Sequence, residues 1–98
     1  MKYLLSIRKE AEADIQQAYA YYESCRLGLG QEFLLCIEAA IAGIERNPVF
    51  CPLVHKDVRR YVIHRFPYGI YYLVHDHRII VIAVLHARRN PANWQSRS

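Results

Sequence analysis

Near the end of the chain, the stretch VIAVLHARRNP sets His86, Arg88 and Arg89 directly behind five apolar residues. Of all side chains, imidazole gains and loses its proton nearest neutral pH, so it suits general acid or base work. Guanidinium forks grip phosphates and carboxylates at two points. A second basic group, Arg59, Arg60 and Arg65 with His64 among them, lies in VRRYVIHRF. If both stretches are strands, alternate residues share a face. His86 and Arg88 then extend the face of Ile80, Ile82 and Val84, and Arg89 points the other way. Arg59 and Arg65 hold one parity on their strand, Arg60 and His64 the other. Arg59, Arg60, Arg65, His86, Arg88 and Arg89 are therefore the candidates for contact with an anionic target. A plain strand end accounts for the same residues, because arginines there lie over apolar side chains with their heads in water.

Other chemistry is thinner. His75 and His77 flank a turn at the spacing of two metal ligands, but no third ligand stands nearby, so neither metal nor cofactor is expected. No glycine-rich phosphate loop, nucleophile elbow or zinc helix motif occurs. Cys25, Cys36 and Cys51 are odd in number and lack C-x-x-C spacing, which fits small buried hydrophobes rather than a disulfide framework. The eight tyrosines offer rings for stacking, and packing at the core and its rim accounts for them.

These residues need a scaffold, and the composition limits what it can be. Ninety-eight residues, 53% of them hydrophobic, make one small folded domain over residues 1–98 rather than a disordered chain. The opening MKYLLSIRKEAEAD returns to charge after about four apolar residues, too few for a signal segment or a membrane span. A cytoplasmic protein without membrane contact is expected. Net charge is +4 and unevenly spread. Residues 1–45 hold four bases against seven acids; residues 46–98 hold nine bases against Asp57 and Asp76. The basic half suits nucleic acid or an acidic protein segment as partner.

Residues 2–8, KYLLSIR, form a short strand candidate. From Lys9 to Cys25 the residues Ala11, Ile15, Ala18, Tyr22 and Cys25 recur at steps of four and three, one face of a helix. Gly28 and Gly30 in RLGLG are placed to take left-handed backbone conformations between two helices. Phe33, Ile37, Ala40, Ile41 and Ile44, with Leu34, line a second helix that Asn47–Pro48 ends. Residues 48–57 read as a loop. Residues 58–66, 69–75 and 78–87 read as three strands joined by short connections and hence antiparallel. The last is apolar on both parities and belongs inside the sheet. The order is β-α-α-β-β-β: an α+β domain with a helical hairpin packed on one face of a small, mainly antiparallel sheet.

The stretches EAEADIQQAYAYYE, GLGQEFLLCIEAAIAGIERNP, VRRYVIHRFPYGIYYLV and IIVIAVLHARRNPANW together resemble the RelE/ParE superfamily of toxins from type II toxin–antitoxin modules, over residues 3–94. The VLHARRNP ending is closer to the ParE branch. That resemblance implies a bacterial toxin, of the plasmid-stabilising kind, that a cognate antitoxin neutralises and that touches DNA only through the antitoxin. The helix faces bearing Ile15, Tyr19, Tyr22, Phe33, Leu34 and Ile37 are expected to meet the antitoxin. A ParE-like toxin would inhibit DNA gyrase without catalytic residues. A RelE-like one would cleave mRNA on the ribosome, with His86, Arg65 and Arg88 as acid/base and phosphate clamp. A non-toxic nucleic-acid binder of the same fold is the third alternative.

Overall fold

In the computed structural model, which describes residues 2–88 and 90–98, the helical spacing of the first half becomes two helices. Strand β1 (Leu4–Ile7) leads into α1 (Lys9–Cys25), whose Ala11 and Ala18 are buried and whose Ile15 and Tyr22 are half-buried, while Cys25 is exposed. Helix α2 (Leu29–Arg46) buries Phe33, Ile37, Ala40 and Ile44 at the same spacing. The tight turn between the helices uses its two glycines differently. Gly28 sits at φ 89°, a left-handed conformation that costs glycine nothing. Gly30, also expected to turn the chain, instead lies inside α2 against Tyr19 of α1, where there is no room for a Cβ. The first backbone amides of α2 find their acceptor across the hairpin: the Glu23 carboxylate receives Gly28 N–H and Gly30 N–H, each at 2.9 Å.

Beyond the helices come β2 (Leu53–His55), β3 (Val58–Val62), β4 (Tyr68–His75), β5 (Arg78–His86) and the single turn α3 (Ala92–Gln95). Among the described residues the strands form one sheet in the order β1-β5-β4-β3-β2, with β1 parallel to β5 and the other pairs antiparallel. The apolar last strand is interior, as its two-sided pattern requires. Three elements differ from the sequence expectation. The 48–57 loop contains the short edge strand β2. Strand β3 ends at Val62 rather than residue 66, because Phe66 turns into the core against Phe33 and Tyr22, and Pro67 has no N–H for a ladder. After Pro91 the chain forms α3 and seats Trp94 on the sheet.

The helical hairpin packs on one face of the sheet, over Ile70, Tyr72, Ile79, Val81 and Val84. Tyr71, Val58, Ile82, Ala83 and Leu85 form a smaller cluster on the other face, where Trp94 stacks on Tyr71 with ring centroids 4.4 Å apart. Consecutive Ile82 and Ala83 thus share the far face. The β4–β5 register explains it: Tyr72 pairs with Val81 and Tyr71 with Ala83, so Ile82 is an extra residue, a β-bulge. Strict alternation would have kept Val84 with Ile80 and Ile82. The bulge moves Val84, and with it His86, to the helix face.

Candidate functional site

Where α1 passes the C-terminal end of β5, the two elements leave a groove of ≈ 580 Å³ between them. Helix α1 contributes Asp14, Gln17, Tyr21 and Tyr22; Tyr68 opens β4 and His86 closes β5. His86 lies directly opposite Tyr68 in the β4–β5 pairing, and their rings meet edge to face at 5.5 Å. The imidazole Nδ1 accepts the backbone N–H of Arg88 at 3.1 Å. With Nδ1 used as acceptor, the neutral ring carries its proton on Nε2. Tyr22 stands edge-on to Tyr21 at 5.2 Å and to Tyr68 at 6.0 Å. Burial, reinforced by the neighbouring Tyr68 and Tyr21 phenols and Cys25, raises its pKa above the usual tyrosine value. Tyr22 therefore remains a neutral hydroxyl.

The basic candidates do not converge on this groove. Arg59 donates from one nitrogen to the carbonyls of Val49 and Cys51, at 3.1 and 2.6 Å, and fastens the loop before β2. Arg65 has left the strand; it pairs with Glu32 of α2 and lies over the Phe66 ring, 5.4 Å from its centroid. Hydrogen bonding to Arg65, then the Arg65 and Arg26 charges, hold the Glu32 carboxyl below its ordinary value against a smaller opposing effect of burial. Arg60 pairs in register with Tyr71, its stem against Gly69, on the sheet face away from the helices. Its Nε is buried with no hydrogen-bond partner among the described residues. Arg88, two residues past His86, is exposed and enters no ion pair among the described residues. Arg89 lies outside the described residues. The even parity assumed from the sequence thus fails twice: β3 is too short to carry Arg65, and the bulge re-aims His86.

Of the residues expected to meet an antitoxin, Phe33 and Ile37 are core residues, closed off because the apolar stripe of α2 faces the sheet. Ile15, Tyr19, Tyr22 and Leu34 are half-buried along the hairpin. Tyr21, Leu27 and Leu35 are the large apolar side chains exposed on the two helices and the turn joining them. Among the described residues no three His, Cys, Asp or Glu side chains cluster as metal ligands, and no helix is long and apolar enough to cross a membrane.

Asp14, Gln17, Tyr21 and Tyr68 escaped notice as site residues. Asp14 had a signal: it stands three residues after Ala11 and four before Ala18, a carboxylate on the buried stripe. In the structure it is almost fully buried and paired with Arg97, Nη1 to Oδ2 at 2.6 Å. As a whole, the groove offers aromatic surface, several hydroxyls and one imidazole, with the exposed Arg88 two residues past that imidazole. That equipment is suited to binding side chains by shape and hydrogen bonding.

Comparison with known proteins bears on the family and the fold. The model of the family described as ParE toxin of type II toxin–antitoxin system, parDE, matches residues 5–91. A solved structure of a chromosomal ParDE toxin–antitoxin system from P. aeruginosa superposes with a TM-score of 0.67 at 15% identity, covering 87% of this chain and 96% of that one. The RelBE2 toxin–antitoxin complex from Mycobacterium tuberculosis superposes with a TM-score of 0.61 at 16% identity, covering 88% and 99%. No curated protein matches the chain.

Proposed function

Because the chain belongs to the ParE toxin family of type II toxin–antitoxin systems, we propose that it arrests bacterial growth by binding DNA gyrase, without catalysing a reaction. The groove around His86 and the guanidinium of Arg88 form the contact, in the cytoplasm. The observation that carries this proposal is the dispersal of the arginines. A ribonuclease must hold a phosphate while it moves protons. Here Arg59 is spent on a loop and Arg65 on Glu32, and Arg60 faces away, so that among the described candidates Arg88 is the arginine left near His86. One observation favours the ribonuclease alternative: the His86 and Tyr68 rings lie together, and both side-chain types serve as acids or bases. A non-toxic nucleic-acid binder would owe its affinity to the basic half of the chain alone.

Neutralisation falls to an antitoxin. The exposed Tyr21, Leu27 and Leu35 with the half-buried Ile15, Tyr19, Tyr22 and Leu34 give it apolar ground on both helices, and the basic second half suits an acidic tail. Such a complex buries more than about 1,500 Å².

Purified protein added to gyrase in a DNA supercoiling assay tests the target. Inhibition that His86→Ala and Arg88→Ala both weaken, with Arg59→Ala altering stability instead, is the expected result. Intact gyrase activity, together with codon-phased mRNA cuts by primer extension after induction, would transfer the protein to the ribonuclease branch.

A further inference from the structure

The bulge in β5 leaves polar groups that the sheet does not satisfy. Pairing with β1 ends at Ile7 opposite Val81, and Arg8 N–H takes the Val81 carbonyl at 3.0 Å. Past that point, Val84 N–H and the Ile82 carbonyl need partners from outside the sheet. Asp14 of α1 accepts Val84 N–H at 3.0 Å through Oδ2. Arg97 donates to the Ile82 carbonyl at 3.1 Å and closes on Asp14 with both terminal nitrogens, at 2.6 and 3.4 Å. Arg97 is itself held, because Arg8 donates to its carbonyl at 2.7 Å. The Asp14 side chain is 9% exposed and that of Arg97 22%, so water competes weakly for either.

We infer that Asp14 and Arg97 are positioning residues for His86. A shift of one residue in a strand turns every following side chain to the opposite face. With the extra residue held at Ile82, Val84 and His86 face α1 and the groove; without it, His86 would follow Ile80 and Ile82 to the far face. On β5 the pair holds backbone groups: Asp14, from α1, takes Val84 N–H, and Arg97, from the C-terminal segment, donates to the Ile82 carbonyl. The groove at the front of the molecule is thereby conditional on Arg97, eleven residues beyond His86 and packed at the strand's edge. The consequence for toxicity rests on the proposed role of His86; the consequence for its orientation does not.

The test uses the full chain and separates the two. Arg97→Ala, Arg97→Lys, Asp14→Ala and His86→Ala are compared for growth arrest at matched soluble levels, hydrogen exchange at Val84, and the imidazole ¹H–¹⁵N signals of His86. Gly28→Ala, in the turn between the helices and outside the sheet, controls for lost stability. Arg97→Ala is expected to speed Val84 exchange about tenfold or more and to move the His86 signals toward those of a solvent-exposed ring. The inducer needed for arrest should rise about tenfold, as for loss of one well-placed interaction. Arg97→Lys keeps a cation beside Asp14 and should recover most of each change, and it serves alone if the alanine variants do not fold. Faster Val84 exchange with unchanged His86 signals, in either Arg97 variant, overturns the inference. Full toxicity of His86→Ala would instead strike at the role of the groove, while the spectra still decide the positioning.

Discussion

Gly30 and Gly28 stand two residues apart, and the structure gives them opposite reasons to be glycine. An alanine Cβ at Gly30 would lie 2.8 Å from Tyr19 Cδ2, 2.8 Å from the Tyr19 carbonyl oxygen and 2.9 Å from Glu23 Oε1. The ring can turn aside, but the carbonyl belongs to α1 and moves only with the helix. Overpacking of this kind costs about 1–3 kcal/mol. Displacing Glu23 from Gly30 N–H adds about 0.5–1.5 kcal/mol, and the better helix propensity of alanine returns about 1 kcal/mol. Gly30→Ala should therefore lose about 1–3 kcal/mol, or about 5–20 °C in Tm for a domain of this size. At Gly28 nothing lies within 4 Å of the added Cβ, and the cost is the backbone at φ 89°, about 1–2 kcal/mol. Asparagine tolerates that conformation, so Gly28→Asn should keep more stability than Gly28→Ala. Gly30→Asn should be worse than Gly30→Ala, since the objection there is space. Thermal and urea unfolding, followed by circular dichroism at constant m, measure all four. A Gly30→Ala protein as stable as the parent would refute the close approach of the helices, and equal behaviour of Ala and Asn at both sites would refute the distinction.

Three further outcomes follow from individual contacts. Tyr72→Phe removes a hydrogen bond to the Pro48 carbonyl at 2.7 Å and should cost about 0.5–1.5 kcal/mol by urea unfolding. Burial first, then hydrogen bonding to Cys51, raises the Tyr72 pKa above its ordinary value. That contribution to stability is full below about pH 10 and lost as pH rises further, so Tyr72→Phe should flatten the alkaline limb of a stability profile. Glu32 shows the opposite sign: its pKa is lowered, chiefly by the Arg65 hydrogen bond, so its contribution is present above the ordinary carboxylate value and lost as pH falls below it. A stability profile of Arg65→Ala should be flatter on the acid side, and an unchanged acid limb would argue against the pair. Trp94→Ala should cost about 3–5 kcal/mol by losing the ring stacked on Tyr71, measured by urea unfolding under circular dichroism; Trp94→Phe should recover part of the loss.

The sequence by itself determined the two helices, the hairpin between them, the interior position of β5 and the α+β class. Each rests on a local rule: apolar residues every three or four positions, a proline that ends a helix, a strand apolar on both parities. It also marked His86 and Arg88 as neighbours at a strand end. Tertiary structure alone decided where they point. Alternation along VIAVLHA is unbroken in the sequence, and the extra residue at Ile82 exists only because Tyr71 and Tyr72 pair with Ala83 and Val81. Its loose backbone groups are tied down by Asp14, from seventy residues earlier, and by Arg97. Fates of the arginines were equally hidden, because Arg59, Arg60 and Arg65 read alike in the chain and diverge only once a loop carbonyl, a sheet face or Glu32 stands beside them. Periodicity is a property of neighbours along the chain; which polar group satisfies a bulge or a guanidinium is a property of neighbours in space.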